Sequence, residues 1–242
     1  SGCDRSPVAP SESLPPLEAA SLDANAGTWR MLVLGTPEQI GVAAPVATTS
    51  ETYKAELEAV KSAQGKMTGV QRSNVAFWGG GGVLRWNQVM RELVARYNLP
   101  PAPRADGSYP VPDADNPFAD PSFPFANPPY AARAYSYVAV AQYEALKAAW
   151  YWKFRYNRSG PSRVDNGVQR LVPVSDLPAY PSEDAVLSGV TTEMLKALFP
   201  AAVEEITRHA AAQREAALLA GKATASDISA GLALGRAVAA AV

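Results

Sequence analysis

Tyr180-Pro181-Ser182-Glu183-Asp184-Ala185-Val186 and, further along, Ala220-Gly221-Lys222-Ala223-Thr224-Ala225-Ser226-Asp227-Ile228-Ser229-Ala230-Gly231-Leu232-Ala233-Leu234-Gly235-Arg236 carry the most information in this chain. Ser182 stands where a helix N-cap belongs, because its hydroxyl can accept from a free first-turn N–H. Glu183 and Asp184 follow where the helix dipole favours acids. After Gly221, Ser226 or Asp227 starts a second helix by the same logic.

Outward from these two helix starts the chain reads as helices almost throughout. Ser182 caps a helix to Leu198, and Pro200 opens another to Ala220. Upstream, Tyr130–Arg155 keeps one face through Ala131, Ala134, Tyr135, Val138, Tyr143, Leu146 and Trp150. A turn-rich connector, 158–179, joins that helix to Ser182. Near the N-terminus, Thr49 or Ser50 caps a helix to about Gln64, which Gly65 ends. A second spans Thr68–Trp78. The run Gly79–Gly82 breaks it, and Val83–Asn98 resumes a helical period through Val83, Trp86, Val89, Met90, Leu93 and Val94. Period-2 alternation is scarce. The expected fold class is all-α, a helical bundle over 26–242.

Residues 99–129 hold ten prolines, at 100, 101, 103, 110, 112, 117, 121, 124, 128 and 129. Such a run suits neither helix nor central strand, so a long loop is expected, wrapping the domain through Phe118, Phe123 and Phe125.

Charged residues make up 19% of the chain and apolar ones 48%, which is globular rather than disordered. The formal net charge of −1, with no block of Lys or Arg, offers no electrostatic case for nucleic acid. No apolar run approaches the roughly 18 residues of a membrane span. The single cysteine, Cys3, has no internal disulfide partner. Ser1-Gly2-Cys3-Asp4 looks like the end of a bacterial lipoprotein signal, with small residues before a lipidated cysteine; a chance cysteine is the plainer alternative. On the lipoprotein reading, 1–25 is a Ser- and Pro-rich tether, and lipid on Cys3 anchors the protein to a bacterial envelope membrane, periplasmic or surface-facing.

Five pieces, in order, resemble the vanadium-dependent haloperoxidase and type 2 phosphatidic acid phosphatase superfamily, and its bacterial haloperoxidase-like lipoproteins in particular. They are Ala26-Gly27-Thr28-Trp29; Phe77-Trp78 with Arg85-Trp86-Asn87; Pro129-Tyr130-Ala131-Ala132-Arg133; Lys153-Phe154-Arg155-Tyr156-Asn157-Arg158-Ser159-Gly160-Pro161; and the two helix starts quoted first. The resemblance covers about Ala26 to Val242, and family members generally continue past a point like Val242. The family pattern is Lys-x₆-Arg-Pro, Pro-Ser-Gly-His, then Ser-Arg-x₅-His-x₃-Asp. It surrounds a tetrahedral oxyanion with one Lys, two Arg and a Ser. The last His attacks phosphorus or coordinates vanadium, the Asp orients it, and the other His is the acid or base.

Carried across, the resemblance puts Lys153, Ser182 and Asp227 at the Lys, Ser and Asp positions. Gly160 falls on the first Arg, Asp184 (after Glu183) on the first His, Ala217 on the second Arg and Ala223 on the second His. Two Arg and both His are therefore replaced. Arg158 and Lys222, in expected turns beside the vacated positions, are the nearest substitutes for charge. Arg214 would leave its helix roughly 60° away in azimuth. A carboxylate roughly 4 Å from a bound anion costs on the order of 4 kcal/mol at an effective dielectric near 20. Each lost Arg removes charge-assisted hydrogen bonds worth on the order of 1.5–3 kcal/mol. Tight phosphate or vanadate binding is disfavoured on both counts.

The same residues have plainer readings. Ser182-Glu183-Asp184 is an ordinary helix start, and Asp227 a first-turn acid. Lys153 pairs with an acid such as Asp165, or binds a ligand. His209, the sole histidine, lies four residues after Glu205 and reads as a surface ion pair rather than half a zinc motif. Glu183, Asp184 and Asp165 lack calcium-loop spacing. Gly79–Gly82 is no phosphate loop, since no Gly-Lys-Ser/Thr follows. Trp78, Trp86, Trp150 and Trp152 read as core. Two functions stay open. One is a non-catalytic, membrane-anchored envelope protein whose inherited phosphoester or halide chemistry is lost or altered, with no cofactor and with a protein partner or a second copy. The other is a divergent acid phosphatase or haloperoxidase with Lys153, Arg158, Ser182 and Lys222 as anion binders, Asp184 as acid or base, and vanadate or phosphate in the site.

Overall fold

Eight α-helices, three 3-10 turns and no strand make up the described residues of the computed structural model, which are 25–97, 104–108, 115, 128–173 and 177–242. Cys3 and its tether, and most of the proline-rich loop with Phe118, Phe123 and Phe125, lie outside the described residues.

Three helices precede the loop: α1 (Glu51–Gly65), α2 (Gly69–Gly79) and α3 (Gly82–Tyr97). Ser50 caps α1, its hydroxyl accepting from the Tyr53 N–H at 3.2 Å. Thr68 and Gln71 box the start of α2: the Thr68 N–H donates to Gln71 Oε1 at 2.8 Å, and the Gln71 N–H to Thr68 Oγ1 at 3.2 Å. The glycine run does break the chain, with Gly81 at φ +110° between α2 and α3, a value that side chains rarely adopt.

The long α4 (Pro128–Tyr156) begins two residues earlier than its periodicity suggests, on Pro128 and Pro129. Those two prolines are a helix start rather than loop, because the first-turn N–H groups they lack have no helical partner anyway. After α4 come a short α5 (Pro161–Val164), then α6 (Glu183–Leu198), α7 (Val203–Leu219) and α8 (Ala225–Ala241). Pro200 opens a 3-10 turn, Pro200–Ala202, and the α-helical ladder begins only at Val203. Neither Ser226 nor Asp227 caps the last helix. Thr224 does, with Asp227 one turn inside.

Helix α6 is the axis of the bundle. Every residue from Asp184 to Thr192 is buried, so its first half is enclosed on every side, packed against α4, α7 and α8. Of the expected core tryptophans, Trp78, Trp86 and Trp152 are buried, whereas Trp150 is half-buried. The 30–35 segment is held on α4 by Glu144, which is fully buried. Its carboxylate accepts the Leu32, Val33 and Leu34 N–H groups at 2.7, 3.3 and 2.8 Å.

Helices α6 and α8 touch backbone to backbone because glycine lies at the crossing. A Cβ on Gly235 would stand 2.2 Å from the Val186 carbonyl oxygen, and one on Gly231 2.4 Å from that of Ser182. The clash is with backbone, so the helices themselves would have to separate. Gly235→Ala is expected to lower unfolding free energy by about 1–3 kcal/mol in urea titration, the usual cost of overpacking. Full stability in that variant would show that the crossing is not close-packed.

Candidate functional site

The last turn of α4, the 158–179 connector, the first turn of α6 and the turn between α7 and α8 converge on one cleft of about 40 Å³. Its polar lining is Lys153, Ser162, Arg163, Arg170, Ser182, Glu183, Asp184 and Lys222. Room is small: a few waters or one small oxyanion fill such a volume.

Each side chain is held by its local structure. Ser182 caps α6 through its hydroxyl, which accepts from the Ala185 N–H at 3.4 Å. Its own N–H donates to the Asp227 carbonyl at 3.0 Å, which joins the starts of α6 and α8. Lys153 is buried, its Nζ donating to the Pro178 carbonyl and lying 4.0 Å from Glu183 Oε2. Burial pushes the Lys153 ammonium down from the ordinary lysine range, and the Glu183 charge opposes that shift. Glu183 also accepts the Trp150 indole N–H. Asp165, a candidate partner for Lys153, is instead 2.8 Å from Lys61.

Asp184 is the best-anchored acid in the cleft. Lys222 Nζ approaches its Oδ2 to 2.5 Å. On the other side Gln213 Nε2 donates to Oδ1 at 3.4 Å, and Gln213 Oε1 accepts the Trp86 indole N–H at 2.6 Å. Desolvation acts to lower the Lys222 pKa, but the charge and hydrogen bond of Asp184 outweigh it and hold the ammonium above the usual lysine range. Lys222 is thus an ion-pair partner for a residue of its own chain.

Arg158 is not in the cleft. It turns the other way, its Nη2 2.6 Å from Asp227 Oδ1 and 2.9 Å from Ser226 Oγ, with the side chains of the ion pair 2% and 0% exposed. Its guanidinium carbon lies 4.9 Å from the Tyr53 ring centroid and 4.5 Å from that of Tyr180. Asp227 Oδ2 meanwhile accepts the Thr224 N–H at 2.7 Å. Arg158 is therefore committed to a structural pair, and its expected reach toward an anion is used up inside the fold. Arg214, as its azimuth implies, lies outside the cleft, with Nη1 2.6 Å from Ser188 Oγ.

Of the expected anion binders the structure brings together Lys153, Ser182 and Lys222, with Asp184 among them. It adds two cations not singled out in the sequence, Arg163 and Arg170; Arg170 Nε donates to Ser162 Oγ at 3.0 Å. The signal for them was available. A connector that leaves Lys153 and must return to Ser182 has to cross whatever lies between, and it carries Arg163 and Arg170. The lining therefore sets four cations against two carboxylates.

Of the four positions that the resemblance gives to imidazole and guanidinium, two hold buried methyl groups, Ala223 and Ala217 at 1% and 3% exposure, and the other two are Gly160 and Asp184 of the cleft lining. His209 is elsewhere and is no surface ion pair. It is half-buried, its ring 6.4 Å from those of Trp78 and Trp86, while Glu205 pairs with Arg96 at 2.6 Å. Burial pushes the imidazole below its ordinary value. Among the described residues no three His, Cys, Asp or Glu side chains gather where they would hold a metal ion.

This helix order, with a basic cleft at the head of the central helix, defines an all-α haloperoxidase-like fold. The likeness is concrete: a crystal structure of a bacterial vanadium-dependent iodoperoxidase superposes with a TM-score of 0.67 over 91% of this chain and 56% of that one, at 17% identity. The chain thus spans little more than half of that protein's length, and at this identity the likeness is one of fold. No family model matches the chain, and no curated protein matches it.

The buried Arg158–Asp227 pair is tied to the cleft through the Ser182 N–H, which donates to the Asp227 carbonyl, and breaking one side leaves an unpaired charge. Asp227→Asn is expected to cost about 3 kcal/mol or more in chemical denaturation. The double variant Arg158→Met with Asp227→Asn should lose less than the sum of the two singles. Additive losses would show that the two side chains act independently.

Proposed function

We propose that this chain is a non-catalytic member of the haloperoxidase scaffold, one whose oxyanion cleft is neutralised from within. The observation that carries this reading is the Lys222–Asp184 contact: a resident carboxylate takes the cation that an oxyanion would otherwise meet. Vanadate does not fit the residues present. The position the resemblance assigns to its coordinating imidazole is the buried Ala223, the chain's one histidine is packed against Trp78 and Trp86, and two acids line the cleft. A nucleophile for phosphoester hydrolysis is lacking at the same place.

The excess of cations favours a second reading, in which the cleft still holds a small anion and works as a divergent phosphatase or haloperoxidase. Lys153, Arg163, Arg170, Ser162 and Ser182 are the donors it would use. The two readings separate on titration of the protein with vanadate and with phosphate, followed by calorimetry. On the first, neither saturates below the millimolar range, and no halide oxidation or phosphatase turnover appears. Asp184→Asn then frees Lys222 and tightens anion binding by about tenfold or more, as removal of a nearby like charge requires. Micromolar vanadate binding, with halide oxidation that Lys153→Ala abolishes, would overturn it.

The proposal extends to location. Cys3 is the attachment point for lipid, and the domain works at a bacterial envelope membrane as a binding or assembly protein. Mass spectrometry of the protein from its native membranes should find the N-terminal peptide acylated at Cys3. An unmodified Cys3 thiol there would remove the anchor from the proposal.

A further inference from the structure

Beside the cleft, the segment before α1 crosses α4 and leaves a second pocket, of about 230 Å³, between Ala26, Trp29, Tyr143, Leu146, Lys147 and Trp150. It shares no lining residue with the cleft, though Trp150 donates to the cleft's Glu183, and a ligand there would be held by other groups than those of the proposed function. The walls are aromatic and aliphatic, and Trp29, 43% exposed, stands at the solvent side.

One polar group is out of place in that lining. Lys147 is 3% exposed, and its Nζ is buried without a hydrogen-bond partner among the described residues. Glu144, one turn back on α4, is the nearest acid in sequence, but its two oxygens already accept the Leu32, Val33 and Leu34 N–H groups. Glu183, which takes the Trp150 indole N–H at the other side, is bound to the cleft. Burial holds the Lys147 amine below the ordinary lysine range, with the Glu144 charge opposing it. A buried amine without an acceptor is strongly disfavoured unless something arrives to pair with it.

We propose that this pocket binds a small amphipathic monocarboxylate, its carboxylate on Lys147 Nζ and its apolar body against Trp29, Leu146 and Trp150. The charge count selects the class. A single ammonium among apolar walls matches one negative charge, whereas a phosphate dianion needs several donors that this lining does not offer. The apolar walls exclude small inorganic anions, which would lose their hydration for one contact.

The test compares phenylacetate and hexanoate with their neutral isosteres, phenylacetamide and hexanamide, on the whole chain. Tryptophan fluorescence gives the affinity, and intermolecular NOEs to the Trp29 and Trp150 rings give the place. The expected result is saturable binding of at least one carboxylate, about tenfold or more tighter than its amide. The better arm says whether the body is aromatic or alkyl. In Lys147→Met, which keeps the bulk and removes the amine, the carboxylate should weaken by about tenfold or more while the amide holds or tightens. Equal binding of acid and amide by the unaltered protein would overturn the proposal, a comparison that needs no variant to fold. So would unchanged carboxylate affinity in Lys147→Met, NOEs to other residues only, or no saturation at millimolar ligand.

Discussion

Arg158 and Asp227 form the contact on which the rest of the arrangement depends. Two opposite charges lie 2.6 Å apart, out of water, and a bare pair in such a place gains little because desolvation offsets the attraction. This pair is not bare. Ser226 and the Thr224 N–H complete the hydrogen bonds, and the Tyr53 and Tyr180 rings lie against the guanidinium, whose Nε has no acceptor. Burial and then the Asp227 charge push the Tyr53 hydroxyl well above the ordinary tyrosine value, so it remains a neutral wall. Through this one contact α1, the connector and α8 are fixed together. The Asp227 carbonyl adds the start of α6, and the Arg158 carbonyl accepts the Ala179 N–H at 2.9 Å to close the connector on itself.

The electrostatics of the cleft are of a different kind. In the Arg158–Asp227 pair the charges are matched one to one and sealed. In the cleft Lys153, Arg163, Arg170 and Lys222 outnumber Glu183 and Asp184, and the lining reaches solvent. Asp184 decides how much of that positive field is felt. Anchored by Gln213, and through it by Trp86, it cannot swing away from Lys222 without breaking a chain of buried hydrogen bonds. An incoming anion would have to displace a carboxylate already in place.

Helix existence was legible in the sequence because capping and periodicity act locally. Ser50, Thr68 and Ser182 declare the starts of α1, α2 and α6, and the glycine run marks the break before α3. The errors have a common cause in residues with two local meanings. Pro128 and Pro129 read as loop by composition yet open a helix, and Asp227, read as a start of α8, sits one turn inside it, where its Oδ2 accepts the Thr224 N–H and its Oδ1 meets Arg158. The cleft was half legible. Lys153, Ser182, Asp184 and Lys222 follow from the order of motifs, which a linear pattern preserves. The turning away of Arg158, the arrival of Arg163 and Arg170, and the burial of His209 depend on where the connector and α7 pack, which no local pattern encodes.

The pattern of what the chain keeps also has a physical explanation. Ser182 caps α6, Asp227 holds both the Thr224 N–H and Arg158, and Lys153 satisfies the Pro178 carbonyl. Each of these three residues, which the resemblance matches, has a structural task that would remain if no anion ever bound. Ala217 and Ala223 fill buried space with a methyl group and leave no charge to satisfy. An imidazole or guanidinium there would need a partner, and Asp184, which lines one crevice with Ala217, already belongs to Lys222. The starts of α6 and α8 are therefore held by residues whose partners all lie within the chain.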